Sequence, residues 1–566
     1  MNLNHLKKFA QGARRKLMGE VSSRLEYLLG HDDAYIRANE THIEEIRRRL
    51  KQKEREQLVE EVAYTWFNRI VALRFMDLRG YTKMRIVSPQ AGQVQPELLY
   101  QIKQGRTPKA LHSLQDTFNA YLEGRITSDQ PDREIYTAAL LGMCNAYTET
   151  LPFLFRRVDE YMAVLLPTDL LSENSILADV QNAITEDEVE DVEVIGWLYQ
   201  FYISEKKDQV FARPKGEKIK KEDIPAATQL FTPHWIVRYM VENSLGRLWR
   251  NNFPDTRVSE QMDYYIEGDP EPDYLKISGP EEITLLDPAC GSGHILTYAF
   301  DLLYAMYEEA GYTPSEIPSL ILQNNLYGID IDPRAAELAA FALTMKAREK
   351  DRFFFQRGVE PNVIAMEDVE VDLRDAGIAM SPKLQEAFGY LSEASNFGSL
   401  IPVPAEVQGE IEDILAELDS KGDAHLFADQ AVAQVRSGVR QLRYLARRYQ
   451  CVVTNPPYMS TSNANPRLRD LVKKKYEVGK LDLFAAFIVQ GLSMARKAGF
   501  LGMITQHAWM FLSSYEDLRG MIIGKHYIVN MAHLGARAFE TIGGQVVQTT
   551  SFVFQRQSGN VKAVAT

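Results

Sequence analysis

Ile283-Thr-Leu-Leu-Asp287-Pro288-Ala289-Cys290-Gly291-Ser292-Gly293 begins apolar, bends at Asp-Pro and closes on two glycines, and an apolar-periodic stretch starts at His294. The pattern reads as strand, tight turn and helix. A glycine-rich turn at the carboxyl end of a first strand is where doubly wound α/β folds hold nucleoside cofactors. Gly291 and Gly293 let the backbone approach a ligand closely and adopt positive φ without a Cβ penalty. Alone, Gly-x-Gly after a strand fits a structural turn about as well as a ligand loop, so the surrounding sequence has to decide.

The next strand-like run, Leu326–Ile329, ends in Gly328-Ile-Asp330-Ile331-Asp332-Pro333. An acidic side chain at the tip of a second strand can accept both hydroxyl protons of an adenosine ribose. Asp immediately before a Pro at the first helical position is also ordinary helix capping. The two roles divide naturally, with Asp330 for the ribose and Asp332 for the cap. Further strand-like runs follow at Cys451–Thr454, Phe500–Thr505 and Val546–Phe554, with helical patterns from His294, Pro333 and Leu481. This alternation predicts an α/β Rossmann-like domain over residues 223–566, a mainly parallel sheet with helices on both faces. A mostly helical insertion is expected at about 368–448, where the alternation lapses.

Residues 1–222 read as a mostly α-helical N-terminal domain. Residues 42–79 are rich in Glu, Arg, Leu and Ala and become apolar-periodic through Val62, Trp66, Ile70, Leu73 and Met76, which predicts one long helix or two. A second helical stretch, 189–206, carries Val192, Ile195, Trp197, Leu198, Phe201 and Tyr202, aromatics better suited to a core than to a binding stripe. The charged, low-apolar segment 215–223 marks the boundary.

Tyr449-Gln-Cys-Val-Val-Thr454 reads as a buried strand, and Asn455-Pro456-Pro457-Tyr458 stands at its tip. Asn-Pro-Pro makes a good turn, but a turn does not require Tyr next. The chemistry of amine methylation accounts for all four residues. The exocyclic nitrogen of adenine is a poor nucleophile, because its lone pair is delocalised into the ring. Two acceptors aimed at its hydrogens favour a pyramidal nitrogen and stabilise the positive charge that develops in the transition state. The Asn455 side-chain oxygen and the Pro456 carbonyl can be those acceptors, with the two prolines stiffening the loop. The Tyr458 ring can stack on a base extruded from the duplex. Neither a metal nor a covalent intermediate is required; direct in-line displacement is driven largely by positioning.

The bulk properties are those of an ordinary soluble chain of several domains: 566 residues, 45% hydrophobic and 25% charged. No apolar run reaches spanning length, and the first residues lack the apolar stretch of a signal peptide, so a cytoplasmic protein with no membrane partner is expected. Cys144, Cys290 and Cys451 lack metal-ligand spacing and suit a reducing compartment. The net charge of −13 is a mild argument against nucleic acid. Basic clusters do occur at Arg14-Arg15-Lys16, Arg47-Arg48-Arg49 and Lys473-Lys474-Lys475, each more readily a solvated helix face than a DNA contact.

Asp-Pro-Ala-Cys-Gly-Ser-Gly resembles the first motif of the amino-methylating DNA methyltransferases that use S-adenosylmethionine, and Gly-Ile-Asp-Ile-Asp resembles their second. Ala227-Thr-Gln-Leu-Phe231-Thr232-Pro233 is similar to the segment that closes over the methionine part of the cofactor in those enzymes. Read plainly, it is a helix entry with Thr232 as N-cap and Pro233 at the first position. Lys480-Leu-Asp482-Leu-Phe484 resembles the motif after the catalytic loop, where Asp482 would anchor that loop or the cofactor, or serve only as a surface N-cap. Gly499–Thr505 and Phe511-Leu-Ser-Ser resemble the following strand and loop. Residues 539–554 resemble a late strand pair flanking the base pocket, which makes Phe539 a weak stacking candidate. Asn396-Phe-Gly-Ser-Leu400 is a candidate contact to the cofactor adenine.

The order of these motifs resembles the gamma arrangement of adenine-N6 enzymes. Ala63–Asp77, Val194–Lys207 and the end of the insertion look like PglX, the adenine-specific methyltransferase family of the BREX (bacteriophage exclusion) systems. The resemblance implies site-specific methylation of host DNA for self/non-self discrimination. It implies S-adenosyl-L-methionine as cofactor, with the segments 231–233 and 287–293, Asp330, Ile331 and Asn455 around it, and no metal. The implied partners are double-stranded DNA with a flipped-out adenine and other BREX proteins. Such enzymes usually carry a large C-terminal target-recognition region, whereas this sequence ends at Thr566. Recognition is then expected from the insertion, the helical region or a partner chain, unless the sequence is a truncation, and weak site-specific methylation by the chain alone is expected. Three alternatives stand: a bifunctional restriction–modification enzyme, for which Glu205-Lys-Lys207 is the only nuclease-like spacing; a protein glutamine methyltransferase, which also uses Asn-Pro-Pro-Tyr; and a non-catalytic DNA- or partner-binding module.

Overall fold

Seven strands, β1 (Leu285–Asp287), β2 (Leu326–Asp330), β3 (Asn362–Ala365), β4 (Tyr449–Thr454), β5 (Ala495–Gln506), β6 (His526–Gly535) and β7 (Thr549–Arg556), form one sheet in the order β3-β2-β1-β4-β5-β7-β6. The computed structural model describes residues 3–155, 160–214, 217–268, 273–374, 376–420, 428–535 and 548–557. Strands β1 to β5 pair in parallel, while β7 enters antiparallel between β5 and β6. This is a Rossmann-like sheet, with helices such as His294–Glu309, Pro333–Lys350 and Leu483–Met494 as crossovers.

The chain leaves β1 towards β2 and β3 on one side and returns to place β4 on the other, with Leu285 beside Cys451 and Leu286 beside Val452. The strand order therefore reverses between β1 and β4. In open α/β sheets, ligands bind outside the carboxyl ends of the strands at such a reversal. The glycine turn and the Asn455 loop leave these two neighbouring strands at that end. β1 and β4 are buried along their whole length, which is why both read as continuous apolar runs rather than as alternation.

Two strands were not legible in the sequence, and one expectation is corrected. β3 is only four residues long and half-buried throughout. The late strand pair does not lie within 539–554. Its first member is β6, at His526–Gly535, and its second is β7. β6 is the half-buried edge strand of the sheet, and His526, Asn530 and His533 interrupt the apolar alternation that would have marked it. Phe539 lies outside the described residues. The insertion holds no strand among the described residues; its longer helices are Pro382–Gly389, Gln408–Ser420 and Ala428–Ala446.

The chain divides into two compact units, Met1–Glu205 and Lys206–Thr566, a boundary that falls inside the helix Glu193–Phe211 and ahead of the charged segment. The first unit is helical. Residues 42–79 form two helices, Glu40–Leu50 and Arg55–Leu78, and the second buries Trp66, Tyr64 and Phe67. Leu198, Phe201 and Tyr202 are likewise core residues. The basic clusters are engaged within the chain: Arg14 pairs with Glu60 at 3.1 Å, Arg47 with Glu44, Arg48 and Arg49 with Glu45, and Lys475 with Glu386 at 2.9 Å. No described helix is long and apolar enough to cross a membrane.

Candidate active site

The turn after β1 is held from three sides. The Cys290 N–H donates to the Ile329 carbonyl at 3.0 Å, the Gly293 N–H to the Cys290 carbonyl at 2.9 Å, and the Ser399 hydroxyl to the Pro288 carbonyl at 2.6 Å. Gly291 has φ +52° and Gly293 φ +85°, both in the left-handed region. They carry different constraints. A Cβ on Gly293 would lie 2.9 Å from the Cα and Cβ of Ala339, whereas one on Gly291 would meet nothing within 4 Å. Gly293 is needed for helix packing, and Gly291 faces open space into which a ligand can come close to the backbone.

Asp330 closes the turn from the second strand. Its Oδ2 accepts from the Gly291 N–H and its Oδ1 from the Asp332 N–H, both at 2.8 Å. Burial pushes the Asp330 carboxyl up to about 6, against the opposing pull of those backbone donors. Each carboxylate oxygen has two lone pairs, so one remains on each for a pair of ribose hydroxyls. Asp332 has the capping role. Its carboxylate accepts from the Arg334 N–H at 3.1 Å and pairs with the Arg334 guanidinium at 2.8 Å, and Pro333 follows at the first helical position. Asp287 is fully buried; burial pushes it up to about 7, offset by the Thr454 hydroxyl and by the Ala289 N–H, which donates to it at 3.1 Å.

The Asn396–Leu400 segment, in the middle of the insertion, belongs to the same wall. Besides the Ser399 bond to Pro288, the Gln490 amide donates to the Ser399 carbonyl and the Tyr476 hydroxyl to the Leu400 carbonyl, each at 2.8 Å. Gly398 has φ +54°, and a Cβ there would come within 2.5 Å of the Ile331 side chain. Ile331 and the insertion thus meet beside Asp330.

At the tip of β4, the Asn455 Nδ2 donates to the Thr232 hydroxyl at 3.0 Å and to the Leu230 carbonyl at 3.3 Å. Its Oδ1 is buried and has no hydrogen-bond partner among the described residues. A buried amide oxygen without a partner costs about 1–3 kcal/mol, so a site that retains one is suited to a donor on a ligand. Pro456 is buried, with Pro457 and Tyr458 half-buried. The Tyr458 hydroxyl donates to the Ile504 carbonyl at 3.1 Å and its ring meets Phe484 edge-on at 6.4 Å, which fixes its plane from two directions. Burial raises its pKa well above the ordinary phenol value.

Asp482 is a buried N-cap, not a surface one. Its carboxylate accepts from the Phe484 N–H and from the Met459 N–H, both at 3.3 Å, so it ties the end of the Asn-Pro-Pro-Tyr loop to the next helix. Burial pushes it up to about 7. The Phe231-Thr232-Pro233 segment departs from its plain reading in one respect. Pro233, not Thr232, stands at the cap of His234–Val241, with no side-chain cap bond, and the Thr232 hydroxyl faces Asn455 instead. The Phe231 ring packs on His294 at a centroid distance of 4.3 Å, and burial lowers that imidazole's pKa to about 3, keeping it neutral. Leu230, His294, Ser399 and Gln490 all hold the site together, yet His294 and Gln490 lie outside the motifs, and Leu230 acts through its carbonyl, which carries no side-chain signal. Glu205 and Lys207 are placed differently from a nuclease pair: Glu205 pairs with Arg15, and the Lys207 ammonium donates to the Gln229 carbonyl at 2.7 Å.

Comparison with known proteins matches this arrangement to two family models: Eco57I restriction-modification methylase over residues 324–539, and the DNA-methyltransferase domain of MmeI over residues 275–367. The chain is 38% identical over its whole length to the adenine-specific methyltransferase BrxX of Escherichia coli O9:H4 (strain HS), covering 51% of that protein. It is 38% identical to the adenine-specific methyltransferase PglX of Lacticaseibacillus casei (strain Zhang) over 88% of this chain and 44% of that one. A more distant relative is the type II restriction enzyme and methyltransferase RM.Eco57I of Escherichia coli, 22% identical over 61% of this chain and 29% of that one. The chain spans about half the length of the BrxX and PglX proteins that it matches. It is a homologue of the adenine-specific methyltransferases BrxX and PglX.

Proposed function

We propose that this chain transfers a methyl group from S-adenosyl-L-methionine to the exocyclic N6 of adenine in double-stranded DNA, as the modification enzyme of a BREX-type defence against bacteriophage. The observation that carries the reading is the Asn455 Oδ1, a buried acceptor with no partner among the described residues, at the end of β4 and next to a glycine turn at the reversal of the sheet. The relatives' names supply the substrate class.

The residues present fit the cofactor. Gly291 offers backbone without a side chain in the way, Asp330 keeps a lone pair on each oxygen for the ribose hydroxyls, and Gly398, Ser399 and Ile331 line the adjoining wall. Phe231, Thr232 and Pro233 stand between the glycine turn and the catalytic loop. S-adenosylmethionine, when bound, supplies an electrophilic sulfonium methyl. Asn455 and the Pro456 carbonyl accept the two amine hydrogens of the target base, which localises the nitrogen lone pair and stabilises its developing positive charge. The Tyr458 ring, braced by Ile504 and Phe484, supplies a flat apolar face for the extruded base.

The test is transfer of labelled methyl to unmethylated duplex DNA by the full chain, with the product identified as N6-methyladenine by nucleoside mass spectrometry. Asn455→Ala should abolish transfer, a loss of at least 10²-fold by analogy with removal of a single transition-state donor, while cofactor binding survives. Full activity in that variant refutes the assignment of the loop. Label appearing on release-factor protein instead of DNA would move the substrate to a glutamine amide.

A further inference from the structure

Two hydrogen bonds decide which way the Asn455 amide points. The Thr232 hydroxyl could face either end of an amide, because it both donates and accepts. The Leu230 carbonyl can only accept, so the group facing it has to be the NH₂. Leu230 and Thr232 lie on one short segment and bracket the amide from the same side, and the Oδ1 is left buried with no partner among the described residues. Phe231, between them, packs on His294, the first residue of the helix that follows the glycine turn. One residue further back, the Gln229 carbonyl accepts from the half-buried Lys207. Residues 229–232 are thus fastened to a helix on one side, to the glycine turn on another and to the catalytic amide on a third.

We propose that Thr232, together with the Leu230 carbonyl, is the positioning element of the catalytic amide, so that seating of the cofactor against this segment and alignment of the Asn455 oxygen on the target amine are one coupled event. The proposal rests on the adenine-methylating role of the loop and adds to it a task for a segment whose resemblance assigns it to the cofactor alone. The reason is geometric. Thr232 is buried and its hydroxyl faces the Asn455 Nδ2. Replacing Thr232 by valine keeps the volume but removes the shorter of the two bonds, leaving the amide oriented by the Leu230 carbonyl alone at 3.3 Å and less firmly aligned on the substrate amine.

The experiment compares the full-length wild type with Thr232→Val, Thr232→Ser and Asn455→Ala. A positioning role predicts that Thr232→Val lowers kcat for methyl transfer by about tenfold or more, leaves the Kd for S-adenosylhomocysteine within about twofold, and is rescued by Thr232→Ser. If Thr232 instead serves the cofactor, Thr232→Val raises that Kd and spares kcat, which overturns the proposal. A readout independent of turnover is the Asn455 side-chain NH₂ signal in asparagine-labelled protein, assigned by its absence in Asn455→Ala. Slow exchange in the wild type, further slowed by S-adenosylhomocysteine and lost in Thr232→Val, supports the coupling; a signal indifferent to both overturns it. Adenine methylation persisting in Asn455→Ala removes the function assigned to the loop, while the amide signal still decides the Thr232 contact.

Discussion

The Gly291 N–H donates to the Asp330 carboxylate at 2.8 Å, so the turn after the first strand is tied to the tip of the second. Both flanks of the proposed nucleoside pocket are therefore joined by one hydrogen bond across two parallel strands, and the charge state of Asp330 matters to both.

Cofactor affinity should fall as the pH drops through about 6. Burial raises Asp330 to about 6; below that the carboxyl carries a proton, and one lone pair needed by a ribose hydroxyl is lost. Titration calorimetry with S-adenosylhomocysteine should show weakening of about tenfold per pH unit below the transition if the ionised form alone binds. Asp330→Asn should bind about 10- to 100-fold more weakly at pH 7.5, the scale of one charged hydrogen bond, and its profile should lose the step near 6. A step that persists in the variant assigns the titration to another group.

Gly293→Ala and Gly291→Ala should separate folding from binding. At Gly293 both the positive φ and the contact with Ala339 oppose a methyl group, and urea unfolding should show a loss of about 2–4 kcal/mol from strain and overpacking. At Gly291 only the φ opposes it, a loss of about 1–2 kcal/mol, yet the new methyl points into the open space of the pocket and should cost the larger share of cofactor affinity.

The stability difference between Asp482→Asn and the wild type should grow with pH. Asp482 is pushed up to about 7 in the folded protein, whereas an unfolded Asp titrates near 4. Between those values the unfolded chain releases a proton that the folded chain retains, so this group makes the wild type less stable as the pH rises, and the effect levels off above about 7. An asparagine accepts the same two N–H groups without a charge. Urea midpoints at pH 4.5, 6 and 8 should diverge in favour of the variant; parallel midpoints would show that Asp482 ionises without penalty.

Tyr458→Phe should cost about 0.5–1.5 kcal/mol through loss of the bond to Ile504, and it should retain most methyl transfer because the ring face is kept. Tyr458→Ala should lose transfer far more than stability. Equal loss of activity in the two variants would mean that the hydroxyl, not the ring, serves the reaction.

The motifs were legible because each places a chemically distinctive residue at the end of a buried strand. Asp287 and Asp330 end β1 and β2 and Asn455 follows β4, strands whose apolar runs are conspicuous, and Asp332 before Pro333 announced its cap. What stayed hidden is what makes no pattern. β6 is a half-buried edge strand broken by His526, Asn530 and His533, and β3 is four residues long. The Thr232 hydroxyl reads as a helix cap from sequence, because nothing local says that Asn455, more than two hundred residues away, competes for it. The Leu230 carbonyl is invisible in principle, since every residue has one.

The Ser399 hydroxyl on the Pro288 carbonyl makes the middle of the insertion a latch on the glycine turn. Residues 368–448 therefore cannot be exchanged as a detachable cassette. A chimera that swaps this stretch must carry Gly398 and Ser399 across intact, with Ile331 and Gln490 as their docking points, or it will disturb the glycine turn, the proposed cofactor site, before it alters any choice of target.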